Sequence, residues 1–485
     1  MNGPKTTLAP SATTVPRIAI VGGGLAGLAT TAALADRNFS ITLFEARRQL
    51  GGRAGSFRDP ETDVWVDHCQ HVSLGCCTNL TDFCARTGLA DLLRHDRTLH
   101  FFGPDGCRHD VSASRWFPTP LHLLPALMRL KYLSSGERLR IGGALRRLAH
   151  TSSVDDPAGP TIGQWLRERK QTERTIELFW SPVIVSALSE TVERAGVPAV
   201  RKVFVDAFLG NRRGFELQIP RVPLGEFYGE RLEQWLRQRG INVRLECPIK
   251  KIVGDGSGVK EIELAAGERL PIDAVVLAVP WRRVNEMLGE PLRAALPELK
   301  ALDRFESAPI SAVHLWFDRA ITELPHAVLP GRLSQWVFNH GVQAPVADNE
   351  PTVRSYYYQV VISASRELEA MPREATIAKV RAELAAMWPV ATEARLVQAR
   401  VITQQHAVFS PLPGSERLRP GQQTSVPNLF LAGDWTATGW PATMEGAVRS
   451  GYLAAEVFLS RFGRPERILA PDLRRPRLAR WVFGN

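Results

Sequence analysis

Residues 17–46, RIAIVGGGLAGLATTAALADRNFSITLFEA, decide the fold. Arg17–Val21 is an apolar, β-rich run without alternation, as expected of a strand covered on both faces; Leu25–Ala35 is small and helix-prone, and Ser40–Glu45 is β-rich again. That order is a βαβ unit. Gly22, Gly24 and Gly27 form G-x-G-x-x-G between the first strand and the helix. The first allows a tight turn, the second lets a pyrophosphate approach the backbone, and the third lets helix and strand pack closely. The helix opening at Leu25 and Ala26 then offers free N–H groups and a positive dipole end to phosphates. Glu45, 18 residues after Gly27 and followed by Ala46, stands where a carboxylate accepts from ribose hydroxyls and repels a 2′-phosphate. The ligand is therefore FAD or NAD, not NADP.

Two further segments choose between them. Gly51-Gly52-Arg53, followed by Gly55-Ser56, sets a second flexible turn and a fixed guanidinium just beyond Glu45, which suits a long diphosphate held from two sides. Near the other end, Gly433-Asp434 offers a carboxylate to a polyol such as ribityl. The helix opening at Met444-Glu445 points N–H groups toward a ring carbonyl, where its dipole favours the negative charge of a reduced flavin. Together the three segments select FAD. No cysteine lies in the C-terminal segment, so the expected attachment is non-covalent.

Working outward, 485 residues exceed one simple core and suggest two domains. An apolar fraction of 44% and a charged fraction of 23% argue against wholesale disorder. The formal charge of +10 favours an anionic partner, but no nucleic-acid motif or aromatic-interleaved basic strip accompanies it, so nucleic acid is not expected. Cys69, Cys76, Cys77, Cys84, Cys107 and Cys247 include no C-x-x-C pair and no metal-ligand spacing, and read as reduced cytosolic thiols. Residues 1–16 lack the apolar stretch of a secretory signal, and no run is long enough to span a membrane. A cytoplasmic protein is expected.

The fold class is α/β: a Rossmann-like FAD-binding domain assembled from discontinuous segments, with an inserted α+β substrate domain. The cofactor domain takes 17–108, 224–285 and 406–465; the substrate domain takes a helical part at 109–223 and a sheet part at 286–405; 466–485 is a basic tail. Residues 151–160, TSSVDDPAGP, read as a polar linker, and Ile310–Phe317 and Tyr356–Ser363 as strands of a second sheet.

Through GGGLAGL, GGRAGS, ECPIKKI and LAGDW…TMEGA the chain resembles the amine oxidase and phytoene desaturase superfamily of flavoproteins. Through VDHCQHVSLGCC, FPTPLHLLPAL, LQIPRVPLGEFY, SQWVFNH, VVISAS and AGDWTATGWPATMEGAVRSG it is most similar, within that superfamily, to the hydroxysqualene dehydroxylase group of hopanoid biosynthesis. The resemblance implies Gly22, Gly24 and Gly27 on the pyrophosphate, Glu45 on the adenosine ribose and Arg53 near the phosphates. It also implies the backbone of Ile249 on adenine, Asp434 on ribityl and the backbone at Met444 on the flavin pyrimidine. The group usually carries V-D-x-G-Q-H where this chain has Val66-Asp67-His68-Cys69-Gln70-His71, so Cys69 replaces a glycine. His71 and Asp67, standing in that motif, are the candidates to deliver or orient a proton; His68 is a weaker one.

The resemblance implies a long polyprenoid lipid as substrate: reductive removal of an allylic hydroxyl as water, or the same scaffold run oxidatively as a desaturase; a flavin amine oxidase and a flavin-retaining lipid carrier are the remaining readings. A single dinucleotide fingerprint leaves electrons to an external donor. Thr119–Leu133 (TPLHLLPALMRLKYL) is densely apolar with Arg129 and Lys131 set apart, which suits either a helix in the interface of an anionic leaflet or a buried wall of the inserted domain. Arg474, Arg475, Arg477 and Arg480 before Trp481 and Phe483 would make an adhesive or a solvated tail.

Overall fold

The computed structural model describes residues 15–59, 64–151, 155–156, 158–343 and 355–483. Part of the expected linker at 151–160 lies outside them.

A five-stranded parallel sheet carries the quoted stretch near its centre, in the order Asn242–Arg244, Ser40–Phe44, Arg17–Val21, Ala274–Leu277, Leu429–Leu431. Each strand is short and apolar because both faces are covered; Ala274, Val275, Val276 and Leu277 are fully buried. The helix Leu25–Leu34 follows the central strand, and all ten of its residues are buried. It is built of Ala, Gly, Thr and Leu because it is pressed between the sheet and the C-terminal helix Met444–Arg461. The two helices touch backbone to side chain: a Cβ on Gly451 would stand 2.3 Å from the Ala26 carbonyl, and the Thr30 hydroxyl donates to the Gly451 carbonyl at 3.1 Å.

The second sheet has seven strands, in the order Leu396–Phe409, Ser307–Phe317, Ser355–Ser363, Trp336–Gln343, His326–Val328, Thr98–Phe102, Arg108–Ser112. One face packs on the helix Arg373–Met387 through Val313, Leu315, Tyr358 and Val360. The alternate residues face the 66–72 segment. This sheet reaches back across the 108/109 boundary expected from sequence, because the hairpin of Thr98–Phe102 and Arg108–Ser112 pairs onto its edge rather than onto the parallel sheet. It also runs past 405, since its outermost strand ends at Phe409.

Residues 121–210 form a helical unit with its own core, including Ile141, Leu148, Trp165, Trp180 and Phe204. The expected apolar helix over Thr119–Leu133 is broken into a 3-10 turn at Leu121–Leu123 and one short helix at Leu124–Arg129; Ser134 and Glu137 then cap the longer helix Ser135–His150 reciprocally. The C-terminal segment is neither solvated nor wholly free to adhere: Arg477–Phe483 is a helix whose Ala479 and Phe483 are buried with Ala149 and Val205, leaving Trp481 outside. Among the described residues no helix is long and apolar enough to cross a membrane.

Candidate active site

The turn after the central strand has an opening over Gly24. That residue is extended, with φ −77° and ψ 175°, and an added Cβ would meet nothing within 4 Å. Its neighbours are crowded by contrast. A Cβ on Gly27 would stand 1.9 Å from the Gly22 carbonyl. Gly51 pairs across from Gly24, donating its N–H to the Gly23 carbonyl at 2.8 Å, and Gly52 faces the Gly24 Cα. The two glycine turns therefore form facing walls of one cradle. The helix beginning at Leu25 has no side-chain cap and no acidic residue in its first turn, so the N–H groups of Leu25, Ala26 and Gly27 are left for an anion.

Glu45 ends the neighbouring strand, buried, with one carboxylate oxygen accepting from Gly23 N–H at 2.7 Å and the other from Arg47 N–H at 2.9 Å. Ala46 beside it is exposed. The segment leading to Ile249 lies against this strand end, with Cys247 N–H donating to the Glu45 carbonyl at 2.9 Å. So the adenosine-side residues expected from sequence meet at one sheet edge.

At the other end of the cradle, Arg53 reaches Asp434, 381 residues away, with Nη2 2.5 Å from Oδ1, and its Nη1 donates to the Ala407 carbonyl at 2.6 Å. Asp434 is buried and its own carbonyl accepts from the buried Arg419. Gly433 N–H donates to Ser450 Oγ at 2.8 Å, which ties the strand end to the C-terminal helix. Met444 opens that helix behind the Thr443 cap. The Glu445 carboxylate, expected beside the cofactor, is turned away from it: it accepts from Leu80 N–H at 2.8 Å and from both the backbone and side chain of Asn79, holding the start of the helix Thr78–Arg86. Only its backbone remains available at the ring end. Burial raises the Glu445 carboxyl despite these donors. An open cradle over Gly24, an uncapped helix start and a buried carboxylate at either end fit an extended dinucleotide-type group.

The 66–72 segment crosses between this cradle and the seven-stranded sheet. Asp67 Oδ1 accepts from the Ser56 hydroxyl at 2.5 Å and from Leu224 N–H at 2.8 Å, while Ser56 Oγ accepts from Gly225 N–H. Burial nonetheless pushes the Asp67 carboxyl up to about 6. His71 Nδ1 lies 2.9 Å from the Cys69 carbonyl; burial lowers its pKa, and the charges of Arg53 and His68 push the same way, so the ring is neutral. His68 stacks on Phe57 and is likewise lowered, by burial first and then by Arg47. The cysteine that replaces a glycine causes no strain, since Cys69 has no positive φ; its thiol is buried among Phe215, Phe338 and Val361 and pushed up to about 12 by burial.

Sequence reading missed the wall opposite this segment. His314, Tyr357, Gln359 and His340 come from three different strands and share one face of the large sheet. Their only signal was a polar residue inside an apolar run, as in SAVHLWF and QVVIS.

Asp67→Asn keeps both hydrogen bonds and removes the ionisation. The protonated carboxyl is the form the fold prefers, so its contribution is complete below pH about 4 and is lost as pH rises through about 6, costing about 3 kcal/mol at neutral pH. Denaturation midpoints of the variant should then stay flat across pH 4–6 where those of the parent fall. A parent curve without that fall would refute the assignment.

The model of the flavin containing amine oxidoreductase family matches residues 25–459. Among curated proteins, the 15-cis-phytoene desaturase of Solanum lycopersicum is 26% identical over 95% of this chain and 81% of its own. The hydroxysqualene dehydroxylase of Sinorhizobium fredii is 26% identical over 91% of this chain and 98% of its own. Among solved structures, a putrescine oxidase superposes with a TM-score of 0.68 at 15% identity, covering 92% of this chain and 99% of that one.

Proposed function

Because the chain belongs to the flavin containing amine oxidoreductase family, we propose that it holds FAD non-covalently and reductively dehydroxylates a long polyprenoid alcohol, hydroxysqualene, to squalene, with electrons from an external donor. The observation that carries the reading is an apolar cluster joining the 66–72 segment to the surface. Cys69, Phe215, Leu217, Phe338 and Val361 are buried together, and Leu123, Val111 and Phe208 pack on their outer side. Such a wall suits an all-carbon chain and excludes water.

In this reading Gly24, Gly52 and the helix start at Leu25–Gly27 receive the diphosphate, Glu45 the ribose and Asp434 the ribityl chain. Bound there, the reduced cofactor supplies a hydride to carbon. The departing hydroxyl needs a proton to leave as water. Asp67 keeps one up to about pH 6 and stands on the segment between cradle and sheet; His71, neutral and held by the Cys69 carbonyl, orients it or relays its replacement. Anaerobic incubation of hydroxysqualene with the reduced holoprotein should yield squalene, and its absence would end the reading. The equal similarity to a phytoene desaturase favours a second reading. Conjugated products from phytoene with the oxidised protein would establish it instead.

Peripheral contact with an anionic leaflet belongs to the same proposal. Trp116, Phe117, Leu121, Leu124 and Met128 are all exposed within 13 residues, with Arg115, Arg129 and Lys131 exposed among them, and the stretch adjoins Leu123 of the apolar cluster. Each basic side chain near anionic lipid adds about 1 kcal/mol. The protein should float with phosphatidylglycerol vesicles, and W116S with M128S should cut the bound fraction at least several-fold. Equal flotation of parent and variant would remove this surface from the account.

A further inference from the structure

The covered face of the seven-stranded sheet changes character along its strands. Ile310, Ala312, Val361 and Phe338 make one half apolar and enter the cluster with Cys69. Two residues further on, the same face presents His314 opposite Gln359 and Trp316 opposite Tyr357. His314 and Gln359 are fully buried. A polar pair is thus set into an otherwise apolar wall, beside Asp67, whose carbonyl accepts from Gln359 Nε2 at 3.3 Å.

Their hydrogen bonds define which atoms remain. Gln359 Nε2 is fixed as the nitrogen because it faces the Asp67 carbonyl, which can only accept. The same nitrogen lies 3.3 Å from His314 Nδ1, and the Tyr357 hydroxyl lies 2.7 Å from that Nδ1. Nδ1 therefore accepts. Burial, with His340, Arg400 and His68 nearby, lowers the His314 pKa to about 3, so the ring carries one proton, and that proton is on Nε2. Among the described residues, His314 Nε2 and Gln359 Oε1 are buried without a hydrogen-bond partner. One is a donor and the other an acceptor, on residues directly opposite each other across two paired strands, where side chains stand about 5 Å apart.

A hydroxyl is the small group that accepts from one atom and donates to another. Leaving both atoms unpaired in a buried site is costly, and a pure hydrocarbon leaves them so. We propose that His314 and Gln359 form a hydroxyl-binding subsite that recognises the alcohol group of a long-chain substrate and selects it over the corresponding hydrocarbon. The inference rests on the polyprenoid reading above and adds its specificity determinant. Tyr357, stacked 4.7 Å from Trp316 and 4.6 Å from His340, is the positioning residue that fixes the His314 tautomer.

The test is equilibrium binding of hydroxysqualene and squalene to the oxidised holoprotein and to Q359L and H314F, both close in shape to the residues they replace. The parent should bind the alcohol about tenfold or more tightly than the hydrocarbon. In either variant the alcohol should fall to the hydrocarbon's affinity while squalene binding moves by less than about threefold, which a general loss of packing would not produce. A parent with no preference, or variants that keep it, overturns the subsite. The two claims separate cleanly. A parent that converts hydroxysqualene while its variants retain full discrimination refutes the subsite alone, and a parent that converts nothing yet shows the collapsing preference refutes the reaction alone.

Discussion

Gly24→Val gives a folded protein that carries no flavin. The φ and ψ of Gly24 are those of ordinary extended backbone, and nothing lies within 4 Å of where its Cβ would be, so the chain itself does not require glycine there. What requires it is whatever passes over it. A valine fills the gap between Gly24 and the facing turn at Gly51-Gly52 and blocks the approach of a diphosphate to the uncapped helix start. The visible absorbance of the purified variant should fall to background while its circular dichroism and denaturation midpoint match those of the parent stripped of cofactor. Gly27→Val should fail differently: its Cβ meets the Gly22 carbonyl at 1.9 Å, so helix and strand cannot pack and soluble protein is lost. A coloured Gly24→Val protein would remove the cradle from this account.

Arg366→Ala should destabilise the protein by about 3–5 kcal/mol. Arg366 grips Glu190 with two parallel hydrogen bonds of 2.7 and 2.8 Å and also reaches the Ser307 carbonyl and Ser410. Glu190, at the end of the helix Ser181–Leu188, is fully buried, and Arg366 follows the strand Ser355–Ser363, so the pair fastens the helical unit to the large sheet. Burial alone would raise the Glu190 carboxyl, but the hydrogen bonds from Arg366, Ser410 and Thr191 N–H outweigh it and hold the pKa below the ordinary value. Its contribution is therefore present above the usual carboxylate range and is lost on acidification. Removing the arginine strands a charge. Replacing both partners, as in R366M with E190L, should recover most of the loss, and a denaturation midpoint unchanged in R366A would show that the pair carries no weight.

The cofactor half was readable because its requirements are local. A glycine spacing, a carboxylate at the next strand end and a strand–turn–helix near the other terminus each sit within a few consecutive residues, and the structure brings Gly24, Gly52, Glu45, Arg53 and Asp434 to one cradle. Glu445 lay in the right motif, but its side chain satisfies a distant helix start, a contact 366 residues away that no local pattern encodes. The substrate half depends on register between strands. His314 meets Gln359 only because Ser307–Phe317 pairs antiparallel with Ser355–Ser363 at one offset, and a slip of one residue would turn both to the helix-covered face. The edge hairpin at 98–112 was misassigned for a related reason, since an edge strand alternates weakly and its partner, His326–Val328, lies over 220 residues on. The buried Phe483 in the tail shows the converse: a basic run hides two side chains that dock.

The parallel sheet sets a timetable for biosynthesis. Its two central strands come from opposite sides of a 230-residue excursion, and its last strand, Leu429–Leu431, is added near the end of translation. Until that strand leaves the ribosome, Arg53 has no Asp434 to meet and the C-terminal helix cannot brace the glycine-turn helix. A nascent chain stalled before residue 429 should therefore be unable to retain the prosthetic group, so loading happens only after synthesis is nearly complete, and the apolar wall awaits its closing partner in the meantime under the care of chaperones.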